Sequence, residues 1–191
     1  YSPEGKNRID LTPDAKREMS VEPEFDVSPD GRQVAVTWQS TGDDRETDTA
    51  VALIDVEPKD MRIVGTATNR NTESPLYAPD GKTLAVMHMT RSPKVVFRPT
   101  LALIDVTSGS MRQMAQEFDA WPHIGDWSAD GTRLIVGADV AGHVPVFAVD
   151  VATGKVERIT HAREGGGHSD LSVLPDGRIA GIRSTFLEPP E

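Results

Sequence analysis

One dipeptide, Asp-Gly, recurs four times with near-constant spacing and in near-constant surroundings. The copies are Phe25-Asp26-Val27-Ser28-Pro29-Asp30-Gly31, Leu76-Tyr77-Ala78-Pro79-Asp80-Gly81, Gly125-Asp126-Trp127-Ser128-Ala129-Asp130-Gly131 and Leu171-Ser172-Val173-Leu174-Pro175-Asp176-Gly177. Successive pairs lie 50, 50 and 46 residues apart, each between a short apolar segment and a β-branched run. Asp-Gly in that setting signals a hairpin, because glycine accepts the positive φ that a tight turn requires. A period of about 45–50 residues holding several strands is the mark of a β-propeller blade.

The rest of each period fits that reading. In the first, Phe25–Ser28 reads as an inner strand, Val34–Trp38 as a second, Val51–Val56 as a third and Met61–Val64 as a fourth. The second repeats it: Leu84–Met87, then Leu101–Val106, which matches Val51–Val56 almost letter for letter. The third has Leu134–Gly137, Val146–Val151 and Val156–Thr160. Most of these runs are continuously apolar, as strands buried on both faces between neighbouring blades should be. The turns Thr107–Ser110 and Ala152–Lys155 each place a glycine at the tight position. The predicted fold is all-β, a partial propeller of four-stranded antiparallel blades, about three complete ones plus fragments. The predicted blades span about 24–69, 75–117, 124–160 and an incomplete 170–191, within a propeller region 23–191. Residues 1–22 are expected to be a linker or the remnant of a preceding blade. Within them Arg8–Thr12 reads as an earlier blade's last strand and Asp14–Met19 as a helical turn. A blade left with two strands, and a first residue that is Tyr rather than Met, predict a piece of something larger.

Composition narrows the function. The net charge of −10 disfavours nucleic acid and anionic membrane surfaces, both of which want a basic face. The absence of cysteine removes disulfides, thiolate nucleophiles and cysteine metal sites. It leaves the compartment open between cytoplasm and periplasm. No apolar run approaches the length of a membrane-spanning helix.

The Ser-Pro-Asp-Gly repeat resembles that of the Tol-Pal system propeller protein and of the prolyl oligopeptidase family of serine peptidases. Three further stretches narrow the likeness: Asp119-Ala120-Trp121-Pro122, the run from Ala138 to Val156, and Ser184-Thr185-Phe186-Leu187-Glu188-Pro189-Pro190-Glu191. Together they resemble the N-terminal propeller of bacterial acylaminoacyl-peptidase and dipeptidyl-aminopeptidase-like members, over nearly all of residues 24–191. The resemblance implies a propeller that caps an α/β-hydrolase domain, restricts access to its active site and serves cleavage of short peptides. By the same resemblance the serine, aspartate and histidine of catalysis lie in that domain, covalently continuous or nicked, and not in this sequence. The alternative is a stand-alone scaffold that docks other proteins, like the Tol-Pal propeller.

The residues supply no catalytic constellation of their own. There is no Gly-x-Ser-x-Gly elbow. In Gly167-His168-Ser169-Asp170 the three polar residues are adjacent, whereas a triad needs its histidine to reach serine and aspartate from separate elements. Gly165–Gly167 lacks the lysine and helix of a phosphate loop. His161, His168, Glu164 and Asp170 match no metal spacing, and Asp43–Asp48 lacks the ligand alternation of a calcium loop. No catalytic residue, metal ligand or cofactor is therefore assigned. The long segments 39–50, 88–100 and 160–170 are expected to share one face, opposite the tight turns. Function concentrates on such loops. Arg91 and Arg98 are the candidates there to meet a peptide carboxylate or carbonyl, since a guanidinium offers a fork of donors. The expected partners are the hydrolase domain and a peptide, with no nucleic acid or membrane; homo-oligomerisation is left open.

Overall fold

The computed structural model describes residues 9–12, 24–41, 47–65, 70–90, 98–160 and 166–185. Among them there is no helix, and fourteen strands form four separate antiparallel sheets. The first sheet runs β1 (Phe25–Val27), β2 (Gln33–Thr41), β3 (Thr47–Asp55) and β4 (Met61–Val64). The second is β5 (Arg70–Tyr77), β6 (Thr83–Thr90), β7 (Pro99–Asp105) and β8 (Met111–Met114). The third is β9 (Trp121–Trp127), β10 (Arg133–Asp139), β11 (Val146–Asp150) and β12 (Val156–Arg158), and the fourth a hairpin of β13 (Gly167–Val173) and β14 (Ile179–Ser184). Each complete sheet is a meander in sequence order, so this is an open partial propeller of four-stranded blades.

The sheets stack face to face, which explains the apolar runs. Along β6, Leu84 and Val86 enter a core shared with Val51 and Leu53 of the first blade. The intervening Ala85 and Met87 enter a core shared with Leu134 and Val136 of the third. The same period-two division splits β11, where Phe147 and Val149 face the second blade and Val146 and Ala148 face Leu171, Val173 and Ile179 of the fourth. A strand apolar on both sides has water on neither.

The first three Asp-Gly turns are built alike, the fourth is one residue shorter (Leu174 N–H donates to Arg178 O), and all are wider than the two-residue hairpin the dipeptide suggests. Gly31 N–H donates to Ser28 O at 2.8 Å, and Ser28 N–H donates to Gln33 O at 2.8 Å, so four residues lie between the bonded pair. Gly31, Gly81, Gly131 and Gly177 all have positive φ, and the aspartates do not. The aspartate instead accepts the N–H two residues on: Arg32, Lys82, Thr132 and Arg178, at 2.9–3.1 Å. That side-chain turn is the reason for aspartate here.

Two features escape the sequence reading. Each of β5, β9 and β13 carries a bulge at the equivalent position: Ser74 and Pro75 oppose Val86, Gly125 is the extra residue between Ile124 and Asp126, and Asp170 and Leu171 oppose Gly181. The polar segments are also more ordered than expected. Of the loop read over 39–50, β2 extends to Thr41 and β3 starts at Thr47, leaving 42–46 between them. Likewise β6 runs to Thr90, β7 starts at Pro99 and β13 at Gly167, so the loops at 88–100 and 160–170 are shorter than read. Polar residues extend the sheets because neighbours satisfy them: Thr49 donates through N–H to Asn71 Oδ1 (3.3 Å) and through its hydroxyl to Glu73 Oε1 (2.8 Å). Residues 9–12 form no strand; Leu11 packs on Val36, Trp38, Ala52 and Ile54. The helical turn read at Asp14–Met19 lies outside the described residues.

Candidate functional site

A meander gives each blade two ends. One carries the Asp-Gly turns and the β3–β4, β7–β8 and β11–β12 turns. The other carries the remaining within-blade connections and the crossovers between blades. At this second end a cavity of about 410 Å3 opens between the second and third blades, lined among others by Glu24, Glu73, Ser74, Pro99, Trp121 and His123. Its polar groups are held by neighbours. Ser74 hydroxyl donates to Glu24 Oε2 at 2.6 Å, Glu73 takes the Thr49 hydroxyl, and His123 Nε2 stands 2.7 Å from Asp139 Oδ2. The result is a concave patch of carboxylate, hydroxyl and imidazole beside the exposed Trp121 indole.

Arg98 lies at the rim, immediately before Pro99. Its Nη2 donates to Phe118 O at 2.8 Å and stands 3.6 Å from Asp119 Oδ1, with the side chain 44% exposed. It thus ties β7 to the crossover leading into the third blade. Phe118 anchors that crossover by packing edge-on against Phe147, with centroids 4.9 Å apart. Arg91 lies outside the described residues, as do 42–46, 161–165 and the closing Phe186–Glu191. The structure therefore brings Arg98 alone of the two candidates to a described surface.

The adjacent residues of the His168 stretch are spent elsewhere. His168 Nδ1 stands 2.8 Å from Val144 O, and Ser169 hydroxyl donates to Asp170 Oδ2 at 2.8 Å. The first contact belongs to the pairing of 143–144 with 166–168, which clasps the third blade to the fourth. A hydroxyl–imidazole pair that the sequence did not flag, Thr72 Oγ1 and His88 Nδ1 at 3.3 Å, is fully buried, and Thr72 donates its proton to Gly65 O. Sealed from solvent and already bonded, it offers no nucleophile. No three His, Asp or Glu side chains converge on a metal-sized site among the described residues.

Aspartates and arginines order the blades relative to one another. Asp26 Oδ2 accepts Tyr77 N–H from the next blade at 2.7 Å, and Asp126 Oδ2 accepts Val173 N–H from the next blade at 2.7 Å. Arg62 donates to Val106 O and Thr107 O, and Arg112 donates to Val151 O, each across an interface. Comparing Met61-Arg62 with Met111-Arg112, 50 residues apart, would have found the arginines.

No family model matches the chain. Against curated proteins, the chain is 25% identical over 170 residues to dipeptidyl-peptidase 5 of Trichophyton equinum, covering 82% of this chain and 22% of that protein. The chain is homologous to dipeptidyl-peptidase 5. It spans about a fifth of the length of these relatives. In fold it matches the β-propeller domain of the Trilobed protease from Pyrococcus furiosus, described as having an open velcro topology. That match has a TM-score of 0.66 at 11% identity, covering 90% of this chain and 48% of the other. It also matches TolB from Acinetobacter baumannii, with a TM-score of 0.64 at 18% identity, covering 88% of this chain and 39% of the other. Chains of prolyl oligopeptidase B and dipeptidyl peptidase 4 are further neighbours. The resemblance to prolyl oligopeptidase-family propellers thus holds across most of the chain, and its neighbours are propeller domains of larger peptidases as well as TolB propellers.

Proposed function

We propose that this chain is the non-catalytic, substrate-gating propeller portion of a prolyl-oligopeptidase-like serine peptidase acting on short peptides. The observation that carries the reading is the 25% identity to dipeptidyl-peptidase 5 across 170 residues, in a chain whose described residues form three four-stranded blades and the hairpin of a fourth. The end with the crossovers and the Arg98 rim faces the catalytic domain, and Arg91 and Arg98 meet the carboxylate or carbonyl of the entering peptide. Neutral substitution of both arginines in the intact peptidase is expected to lower kcat/KM for short peptides by about tenfold, as loss of charge-assisted hydrogen bonds would. Unchanged catalytic efficiency would remove them from the substrate path. The likeness to TolB favours a second reading, a scaffold that binds proteins without catalysis. The readings part on whether the native protein takes a serine-directed covalent probe.

A further inference from the structure

At the Asp-Gly end, the interface between the second and third blades holds a slot of about 640 Å3. Leu103, Met111 and Trp127 form an apolar floor, and Asp80, Asp105 and Asp130 are exposed around it. Arg112 also lines it, but donates to Val151 O at 2.7 Å. The carboxylates are only half used. Asp80 accepts Lys82 N–H, Asp105 accepts Ser108 N–H and hydroxyl, and Asp130 accepts the Ser128 hydroxyl with Thr132 N–H and hydroxyl, all on Oδ1. The Oδ2 of each takes no hydrogen bond among the described residues.

The chain contains its own comparison for this place. The first residue of the second strand pairs with the last residue of the third in every complete blade: Gln33 with Asp55, Thr83 with Asp105, Arg133 with Asp150. In the first blade Gln33 Nε2 donates to Asp55 Oδ1 at 2.6 Å, and Tyr77 hydroxyl bridges the blades by donating to Gln33 Oε1 at 2.7 Å. The third blade sets a guanidinium opposite its aspartate. Only the second blade has a side chain too short to carry an N–H donor there, and there the slot lies, with Trp127 at the position of Tyr77.

We propose that this slot binds an arginine side chain presented by a partner polypeptide, its guanidinium standing against Asp105 as the Gln33 amide stands against Asp55. Charge complementarity selects a cation: three carboxylates line the slot with Arg112, Arg62 lies near Asp105, and both arginines are already engaged by backbone carbonyls. The apolar floor selects arginine over lysine: the methylenes lie on Met111 and Leu103, and the flat guanidinium suits the Trp127 indole beside them. The site lies at the end opposite the Arg98 rim and does not depend on the peptidase reading.

The test titrates acetyl-Ala-Arg-Ala-amide into the 191-residue chain, followed by calorimetry and by the indole N–H resonance of Trp127. The expected result is saturable binding with Kd below about 1 mM, at least about tenfold weaker for the citrulline peptide, which keeps the shape and loses the charge. Thr83→Gln, which restores the first blade's donor, is expected to weaken binding by a similar factor while keeping the melting temperature. Absence of saturation, equal binding of the citrulline or lysine peptide, or undiminished binding by a folded Thr83→Gln variant would each overturn the proposal. The citrulline comparison uses the unaltered chain and stands even if the variant does not fold.

Discussion

Replacing Asp126 by alanine tests how the blades are held together. One carboxylate serves both blades at that interface: Oδ1 accepts Trp127 N–H at 2.7 Å, and Oδ2 accepts Val173 N–H at 2.7 Å with Ser172 hydroxyl at 3.3 Å. Trp127 is buried and Val173 half-buried, so water replaces the lost acceptor poorly. A hydrogen bond to a charged group contributes about 1.5–3 kcal/mol net, and the long, exposed Ser172 contact adds little. With partial exposure discounting the outer bond, Asp126→Ala is expected to cost about 2–4 kcal/mol. For a chain of this size that lowers the melting temperature by roughly 5–15 °C. Asp126→Asn keeps one acceptor and should fall near half of that. Thermal unfolding followed by circular dichroism gives the total, and hydrogen exchange at the Val173 amide locates it. A melting temperature within about 1 °C of the parent, with Val173 protection unchanged, would refute the reasoning.

Two further outcomes follow from packing and charge. A Cβ on Gly125 would lie 2.7 Å from Leu171 Cβ and 3.0 Å from Ile135 O, so Gly125→Ala is expected to destabilise the chain by about 1–3 kcal/mol in urea unfolding; no loss would mean that the blades are not in contact there. The Ser128 hydroxyl, then the Thr132 N–H and hydroxyl, hold the Asp130 carboxyl down to about 2, and turn donors likewise lower Asp30, Asp105 and Asp150. Because the folded values lie below the unfolded ones, the stabilisation is complete above the unfolded value, about 4, and is lost as pH falls towards 2. The melting temperature should therefore drop between those limits, and less steeply in Asp130→Asn; a profile flat across that window would contradict the turn chemistry.

The parts of this fold written in the sequence are those set by local chemistry. Asp30-Gly31 and its three copies place the turns, and runs such as Leu101–Ile104 declare strands buried on both sides. The bulges were not legible, because Ser74, Ile124 and Asp170 share no chemistry at one structural position. Ser74 and Asp170 adopt positive φ of 54° and 49° there. Strand ends were misjudged where Thr41, Thr47 and Thr90 extend the ladders without apolarity. The interface ties were legible in part: the second blade has Leu76 where the first and third have Asp26 and Asp126, and its backbone carbonyl instead accepts Trp127 Nε1 at 3.2 Å. Arg98 was visible as a charged residue in a long connection, but its bond to Phe118 O depends on a crossover 20 residues away. The slot at Thr83 needed three blades laid side by side, since a short side chain is informative only beside Gln33 and Arg133.

The measurement that bears most directly on the peptidase reading is fluorophosphonate labelling of the native protein carrying this sequence, with the labelled serine located by peptide mapping. The predicted result is one label on a serine outside residues 1–191, in the same polypeptide or one held to it, and none on the isolated chain. A label on a serine within residues 1–191, or no labelled serine anywhere in the native protein, would contradict it.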